Sequence, residues 1–271
     1  MVAINKQPKD VITCDGIKKY IDTGLKNRIN IEYLKKTAST NDIVKKRATQ
    51  GEKEGLLVIA GEQTAGKGRM DRNFFSPGDT GVYMSLLLRP QIKPSDAVLI
   101  TTAAAVGVCK ALDKMNVGNQ GIKWVNDIYI DEKKVCGILA EAGFDTKGKL
   151  DYIVLGVGLN MYEPQNGFPD DIRGIAGAVF SEKQEDMRNR FVGEFLNAFF
   201  GFYGNIADRS HVQEYKELCF LYNRDVDVIN AGEIRRATVL GLDDNCGLQV
   251  MYDNGEKAVL TSGEVSLKVV R

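Results

Sequence analysis

A single histidine, His211, is all that the 271 residues provide. A His/Cys metal centre and a serine–histidine triad both lose their essential residue at that count. His211 stands among charged and polar neighbours, which predicts a plain surface position. Cysteine is nearly as uninformative: five residues, at 14, 109, 136, 219 and 246, odd in number and never spaced as CxxC. No disulfide framework is expected from them, and Cys109 and Cys136, set in apolar runs, read as small hydrophobes. Net charge is absent as well, with 36 basic residues against 36 acidic ones. No global field attracts nucleic acid or an anionic membrane, so any phosphate-binding site has to be local. No apolar run approaches the roughly 20 residues that cross a bilayer. The opening MVAINKQPKDVIT lacks the apolar stretch and cleavage site of a secretory signal, and the expected address is the cytoplasm. Chemistry is left to Lys, Arg, Asp, Asn and backbone amides.

The chain is long enough for one large domain and a small one. Residues 1–38 hold a short mixed segment and then a strand, INIEYLKK. Ser39 with Asp42 three residues later resembles a capping box and opens a helix through Ile43, Val44 and Ala48. GLLVIAG (55–61) and GVYMSLLLRP (81–90) read as buried strands. Ser95 is placed to cap a helix whose apolar positions, from Val98 to Leu112, fall at spacings of three and four. Strands follow at 121–130, 133–144 and 150–160, joined by short polar turns that suit antiparallel hairpins. A second helix is expected from Glu182, its stripe of Met187, Phe191, Phe195, Phe199 and Phe202 forming core, and another around 209–220. From Asn223 the texture changes to five short strands with Gly, Asp and Asn between them, a small antiparallel barrel. The expected division is a catalytic domain over residues 1–222 and a barrel domain over residues 223–271.

Directly after the strand LLVIAG comes GEQTAGKGRMDRNFFSPGDTG. Glycines, one lysine and two arginines with no apolar run expose amides and cations together, as phosphate or carboxylate ligands require. Such a loop is expected to be mobile until an anion neutralises it. Gly61 through Lys67 match seven of the eight positions of the phosphate-binding loop of nucleotide triphosphatases. The eighth fails: Gly68 replaces the magnesium-binding hydroxyl. Gly68 also starts a helix poorly, Arg69 to Pro77 lacks helical periodicity, and IVLGVGLN ends in Asn160 instead of a metal-binding Asp. A solvated basic loop is the bland alternative for this segment taken alone.

Four segments, in order and spacing, decide between these readings. They are Ser39-Thr40-Asn41-Asp42; Gln63-Thr64-Ala65-Gly66-Lys67-Gly68-Arg69 with Arg72 and Phe74-Phe75-Ser76-Pro77; Lys123-Trp124-Val125-Asn126-Asp127 leading to Lys134-Val135-Cys136-Gly137-Ile138-Leu139-Ala140-Glu141; and Gly156-Val157-Gly158-Leu159-Asn160. With the small C-terminal barrel, they resemble the biotin–protein ligase family across almost the whole chain. The resemblance implies an α/β (α+β) fold: a mixed, largely antiparallel sheet with helices, class II synthetase-like, followed by an SH3-like barrel. It implies biotin, ATP and Mg²⁺, with biotin condensed to biotinyl-5′-adenylate and then passed to a lysine of a carboxylase's biotin carrier domain. It assigns catalysis to Lys134, Lys67, Arg69 and Asp127, with Asp127 orienting or deprotonating the incoming lysine. Biotin falls to Ser39, Thr40, Asn41, Gln63, Gly66, Lys67, Gly68, Arg69, Lys134 and Gly137, and the adenylate to Arg69, Arg72, Phe74, Lys134 and Asn160. No metal ligand is assigned with certainty, since Mg²⁺ rides mainly on ATP; Glu141 reads equally as a magnesium contact or a structural acid.

This sequence departs from the family at Lys67 and Met70, where arginines are usual, at Asp71, where glycine is usual, and at Val125, where proline is usual. Asp71 lowers the local positive charge by one. Many members carry an N-terminal helix-turn-helix, but residues 1–38 show no pair of amphipathic helices separated by a turn, so no DNA-binding role is expected. Homodimers paired edge to edge are common in the family. Two other functions stay open at this point: a lipoate ligase or transferase of the same fold, and a biotin-binding module without catalysis.

Overall fold

The computed structural model describes residues 10–230, 233–261 and 266–269. Seven strands form one sheet: β1 (Asn30–Leu34), β2 (Leu56–Ala60), β3 (Gly81–Leu88), β4 (Gln120–Lys123), β5 (Asp127–Ile130), β6 (Lys133–Phe144) and β7 (Leu150–Asn160). Their order is β1-β2-β3-β7-β6-β5-β4. Only β1 and β2 run parallel; every other neighbouring pair is antiparallel. The sheet is therefore mixed and largely antiparallel, as the sequence implies.

Alternation sends successive side chains to opposite faces. Val82, Met84, Leu86, Val157, Leu159, Cys136 and Ile138 enter a large core. It is roofed by α1 (Cys14–Tyr20), α4 (Val98–Lys114) and α6 (Met187–Tyr203). In α6 the aromatics Phe191, Phe195 and Phe199 stack along one stripe, as their spacing predicts. On the opposite face α3 (Thr40–Thr49) packs, and a second, small core of Val44, Ala48, Val58, Leu87 and Val154 lies beneath it. Much of that face stays uncovered by helix, and the site lies there.

Several local expectations change. Ser39 is the N-cap of α3, but its side chain makes no capping bond, and the Asp42 side chain pairs with Lys67. Ser95 lies in a 3₁₀ turn (Pro94–Asp96) ahead of α4 and caps nothing. Residues 94–114, against the expectation that no apolar run approaches that length, are long and apolar enough to cross a bilayer; most of that stretch is buried inside the protein, as befits a core helix. The aromatic helix begins at Met187, after Asp186 in a left-handed conformation, not at Glu182. Residues 14–26, in the stretch read as a short mixed segment, form α1 and the four-residue α2 (Thr23–Lys26). Ile17, Ile21 and Leu25 sink into the main core.

After α7 (Val212–Leu218) comes a five-stranded antiparallel sheet of β8 (Asp225–Asn230), β9 (Glu233–Leu242), β10 (Leu248–Tyr252), β11 (Lys257–Leu260) and β12 (Ser266–Val269). Its order is β11-β10-β9-β8-β12. The expected strands at 257–263 and 265–270 extend at their ends into positions outside the described residues, as do residues 1–9. Val226, Val228, Val239 and Val250 of this sheet belong to the same core cluster as α4 and β6.

His211 overturns its sequence reading. It is fully buried. Its Nε2 lies 2.9 Å from Thr102 Oγ1, and Nδ1 has no partner among the described residues. Thr102 can donate its own proton to the α4 carbonyls of Val98 and Leu99. The consistent assignment is therefore an Nε2–H donor with Nδ1 unprotonated. Burial pushes the imidazole pKa down from 6.5 to about 4. The ring's contribution to stability is complete above pH 6.5 and declines as pH falls towards 4, because the unfolded chain takes up a proton that the folded one resists. Between pH 7 and 4.5 this amounts to about 2 kcal/mol. Urea unfolding of wild type and His211→Gln at both pH values is expected to show a smaller pH loss in the variant; equal losses would remove His211 from the account.

Candidate active site

Register alone assembles the floor. The cross-sheet row Ala60–Tyr83–Gly158–Gly137–Asp127–Lys123 runs over β2, β3, β7, β6, β5 and β4. Residues directly opposite in a ladder share a face, so one row carries an acid, a cation and two bare glycines. A Cβ on Gly158 would come within 2.6 Å of the Phe74 ring. One on Gly137 would lie 3.1 Å from that ring and 3.4 Å from Lys134 Nζ. The two glycines thus make room for an aromatic lid and for the arch of the lysine side chain. A bulge in the β5–β6 ladder, where register shifts between Ile128 and Tyr129, sets Lys134 beside Asp127. Lys134 Nζ pairs with Asp127 Oδ1 at 2.6 Å.

The basic loop is a small hairpin. Phe74 N donates to Gly66 O (2.8 Å) and Gly68 N to Arg72 O (2.7 Å), with Arg69 to Asp71 at the tip. A Cβ on Gly66 would strike Phe74 O at 2.4 Å, which explains glycine there. No helix follows Gly68, so the geometry is not that of a nucleotide triphosphatase loop. Contacts from both arms and from the tip brace the hairpin in this conformation. Lys67 Nζ pairs with the Asp42 carboxylate, and Arg69 Nη1 donates to Asn126 Oδ1 at 3.0 Å. Met70 and Asp71, two of the departures from family pattern, both take left-handed backbone with φ of 55°. At Val125, another departure, the Trp124–Val125 bond is a cis peptide.

The polar end is built by α3. Asn41 sits on β7 at Gly156, where any Cβ would meet its Oδ1 at 2.3 Å. Buried Ser85 Oγ lies 2.7 Å from Thr40 Oγ1 and 2.5 Å from Asn41 Oδ1. Gln63 Oε1 accepts from Thr40 N (2.8 Å) and Thr40 Oγ1 (3.1 Å), and its Nε2 donates to Ser76 Oγ. Glu141 accepts from Asn41 Nδ2 and Lys45 Nζ. Asn160 donates to Gly177 O at 3.0 Å.

Together these groups line one cavity of about 1220 Å³. Of the sequence-chosen residues, Ser39, Thr40, Asn41, Gln63, Lys67, Gly68, Arg69, Arg72, Phe74, Asp127, Lys134, Gly137 and Asn160 all border it; Gly66 sits just behind, in the hairpin arm. Four features of the wall carry no assignment from the sequence. Lys123 enters only as part of its motif. Ile175 and Ala176 flank the Lys134 backbone, whose N–H donates to Ile175 O at 2.7 Å and whose carbonyl accepts from Gly177 N. Phe220 and Arg224 reach the cavity from the approach to the C-terminal sheet. Ser85 lies beneath it, and a lone polar residue in the apolar run GVYMSLLL was the available signal. Ile175 and Ala176 had no such signal, lying in an irregular segment.

Electrostatically the cavity is under-neutralised. Burial lowers the Arg69 pKa, assisted by Arg72 and opposed by Asp127. Burial likewise lowers that of Lys123, with Lys134 and Arg72 adding to the effect and Asp127 opposing it. Arg69 Nη2 is buried with no hydrogen-bond partner among the described residues. A buried N–H on a cation without an acceptor is costly, and a bound anion would relieve it. Among the described residues no cluster of three His, Cys, Asp or Glu side chains could hold a metal.

The Biotin/lipoate A/B protein ligase family model matches residues 33–160, and the Biotin protein ligase C terminal domain model matches residues 223–268. The bifunctional ligase/repressor BirA of Bacillus subtilis is 36% identical over 159 residues, covering 58% of this chain and 49% of the relative. The biotin–[acetyl-CoA-carboxylase] ligase of Mycobacterium tuberculosis is 30% identical over 146 residues, covering 52% and 53%. The chain thus spans about half the length of these curated relatives. Among solved structures, the biotin protein ligase of Aquifex aeolicus in complex with biotin and ATP superposes with a TM-score of 0.71 at 22% identity, covering 89% of this chain and 99% of that one. Two matched regions in family order, on a fold of this kind, identify the lineage: the chain belongs to the biotin–protein ligase family.

Proposed function

We propose that the chain is a biotin–protein ligase that activates biotin with ATP and transfers it to a carrier lysine. The observation that carries the reading is the buried, unpartnered Arg69 Nη2 in a cavity that also holds Arg72, Lys123 and Lys134. That wall suits a triphosphate meeting a carboxylate, and the neutral Ser39–Thr40–Asn41–Gln63 end suits a ureido ring. A volume of 1220 Å³ exceeds the roughly 300–1,000 Å³ of ordinary small-molecule sites, so two substrates have room.

In the first step a biotin carboxylate oxygen attacks the α-phosphorus, and the bond to the β-phosphate breaks with pyrophosphate leaving. Arg69 and Lys134 stabilise the charge that gathers on the α-phosphate, while Arg72 and Lys123 face the departing phosphates. Magnesium enters with ATP as part of that substrate. Phe74 covers the product against Gly137 and Gly158, and Asn160 stands at the adenosine side. In the second step the carrier's lysine amine attacks the acyl carbon, AMP leaves, and Asp127 takes the amine proton. Lys67 contributes less field than the sequence suggests, because Asp42 offsets its charge. The catalytic part is placed in residues 1–222, with residues 223–271 as a separate C-terminal domain. A cytoplasmic address is supported by five free thiols. A homodimer joined at a sheet edge, β1 or β4, extends the family resemblance to assembly.

Biotin-dependent pyrophosphate release, followed by incorporation of radiolabelled biotin into a biotin carrier domain, tests the reading. Both are expected, with lipoate giving neither. Transfer of lipoate alone would replace biotin as the substrate, and biotin binding without pyrophosphate release would make the chain a binding module.

A further inference from the structure

Trp124 is the only tryptophan in the chain. It belongs to the three residues, 124–126, that bridge β4 and β5 beyond the last ladder pair, Lys123–Asp127. One backbone bond ties this segment to β6, Ile138 N donating to Asn126 O (3.0 Å), and side-chain bonds place the rest. Asn126 Nδ2 donates to Ile138 O (2.8 Å), and Val125 O accepts from the Tyr215 hydroxyl (3.1 Å). The third bond comes from the C-terminal sheet: the buried Trp124 indole donates Nε1–H to Cys246 O at 2.8 Å.

Cys246 occupies the turn between β9 and β10, in left-handed backbone with φ of 60°. The Asp243 carboxylate braces a turn that Asp243 N also closes on Gly247 O (3.0 Å). Asp243 Oδ1 accepts from Asn245 N (2.8 Å) and Gly247 N (2.7 Å), while the Asp243 carbonyl accepts from Cys246 N (3.1 Å). At the other end of the chain of contacts, Asn126 holds Arg69 and Asp127 pairs with Lys134. Both cations that face the reacting phosphate therefore rest on a segment that the C-terminal turn helps to place.

We infer that the Asp243–Gly247 turn is a positioning element of the active site, acting through the Trp124 indole on Arg69 and Lys134. Asp243 and Trp124 are positioning residues in this assignment, and neither handles a proton or a phosphate. The rate consequences rest on the proposed ligase reaction; the Asp243–Trp124 link does not.

The lone tryptophan makes the link directly readable. In Asp243→Ala the emission of Trp124 is expected to shift to longer wavelength, with stronger acrylamide quenching. ATP affinity, titrated without turnover, is expected to fall. Asp243→Asn keeps the Oδ1 acceptor and is expected to match wild type in every readout. For adenylate formation, Asp243→Ala and Trp124→Phe are each expected to lose about tenfold or more in kcat, as small misplacements of catalytic groups do. Biotin KM is expected to change less than about twofold, marking loss of transition-state positioning. The double variant is expected to lose no more than the worse single one, since both act through one bond. Wild-type emission and quenching in Asp243→Ala, or wild-type kcat in folded Trp124→Phe, would overturn the inference. If Asp243→Ala fails to fold, Trp124→Phe decides. A wild-type protein that makes no adenylate would sink the ligase reading, while fluorescence and ATP affinity would still judge the positioning.

Discussion

Lys134→Ala is expected to fold normally and to lose adenylate formation by about a hundredfold or more, the scale on which removal of one preorganised charge-stabilising donor acts. The geometry separates the two effects. Lys134 Nζ reaches the cavity by arching over Gly137, and its side chain is 28% exposed. It touches no other acid besides Asp127 among the described ion pairs. Truncation removes that pair but does not leave Asp127 isolated, because Arg69 and Lys123 both feel its charge. The stability cost is therefore expected to stay near about 1 kcal/mol, as for partly exposed pairs. Biotin-dependent pyrophosphate release and urea unfolding of the same preparation check both halves. Wild-type release from the folded variant would contradict the role given to Lys134, whereas collapse of the fold would mean that the ion pair is chiefly structural.

The strands were legible because a two-sided sheet writes its burial into the sequence. GLLVIAG and GVYMSLLLRP are apolar on both faces where α3 and the α4–α6 layer both cover them, and β2 and β3 form there. The site was legible as four motifs, since register brings Asp127, Gly137, Gly158 and Tyr83 into one row. What escaped was tertiary. His211 sits among polar neighbours in the chain but meets Thr102 and Phe202 in space. At Ser39 no capping bond forms, and Asp42 finds a cation 25 residues away. Ile175 and Ala176 reach the cavity only through backbone bonds to Lys134, which carry no side-chain signature. Trp124 borders the cavity while its indole nitrogen turns away to the C-terminal sheet, a link that its motif does not carry.

Asp10→Ala is expected to give the largest stability loss outside the apolar core. Asp10 and Arg188 are 5% and 4% exposed. Asp10 Oδ2 accepts from Arg188 Nε at 3.1 Å and from the Tyr162 hydroxyl at 2.6 Å, and Oδ1 accepts from Arg188 N at 3.1 Å. Arg188 Nη2 donates to the Asp10 carbonyl as well. One carboxylate thus joins the N-terminal segment, the start of α6 and the chain leaving β7. Its removal strands a buried guanidinium, a loss on the order of 3–5 kcal/mol. The pair itself need not be worth that much, because desolvation offsets most of its attraction; Asp10→Ala with Arg188→Met is accordingly expected to recover part of the loss. Urea unfolding of the two single variants and the double would separate these terms. A single-variant loss below about 1 kcal/mol would show that water reaches the guanidinium and that the pair behaves as a surface bridge. The same contact bears on function through Tyr162, which opens the segment that carries Ile175 and Ala176 to Lys134. Folded Asp10→Ala is therefore expected to bind ATP more weakly even where it remains native, since one wall of the cavity loses its anchor.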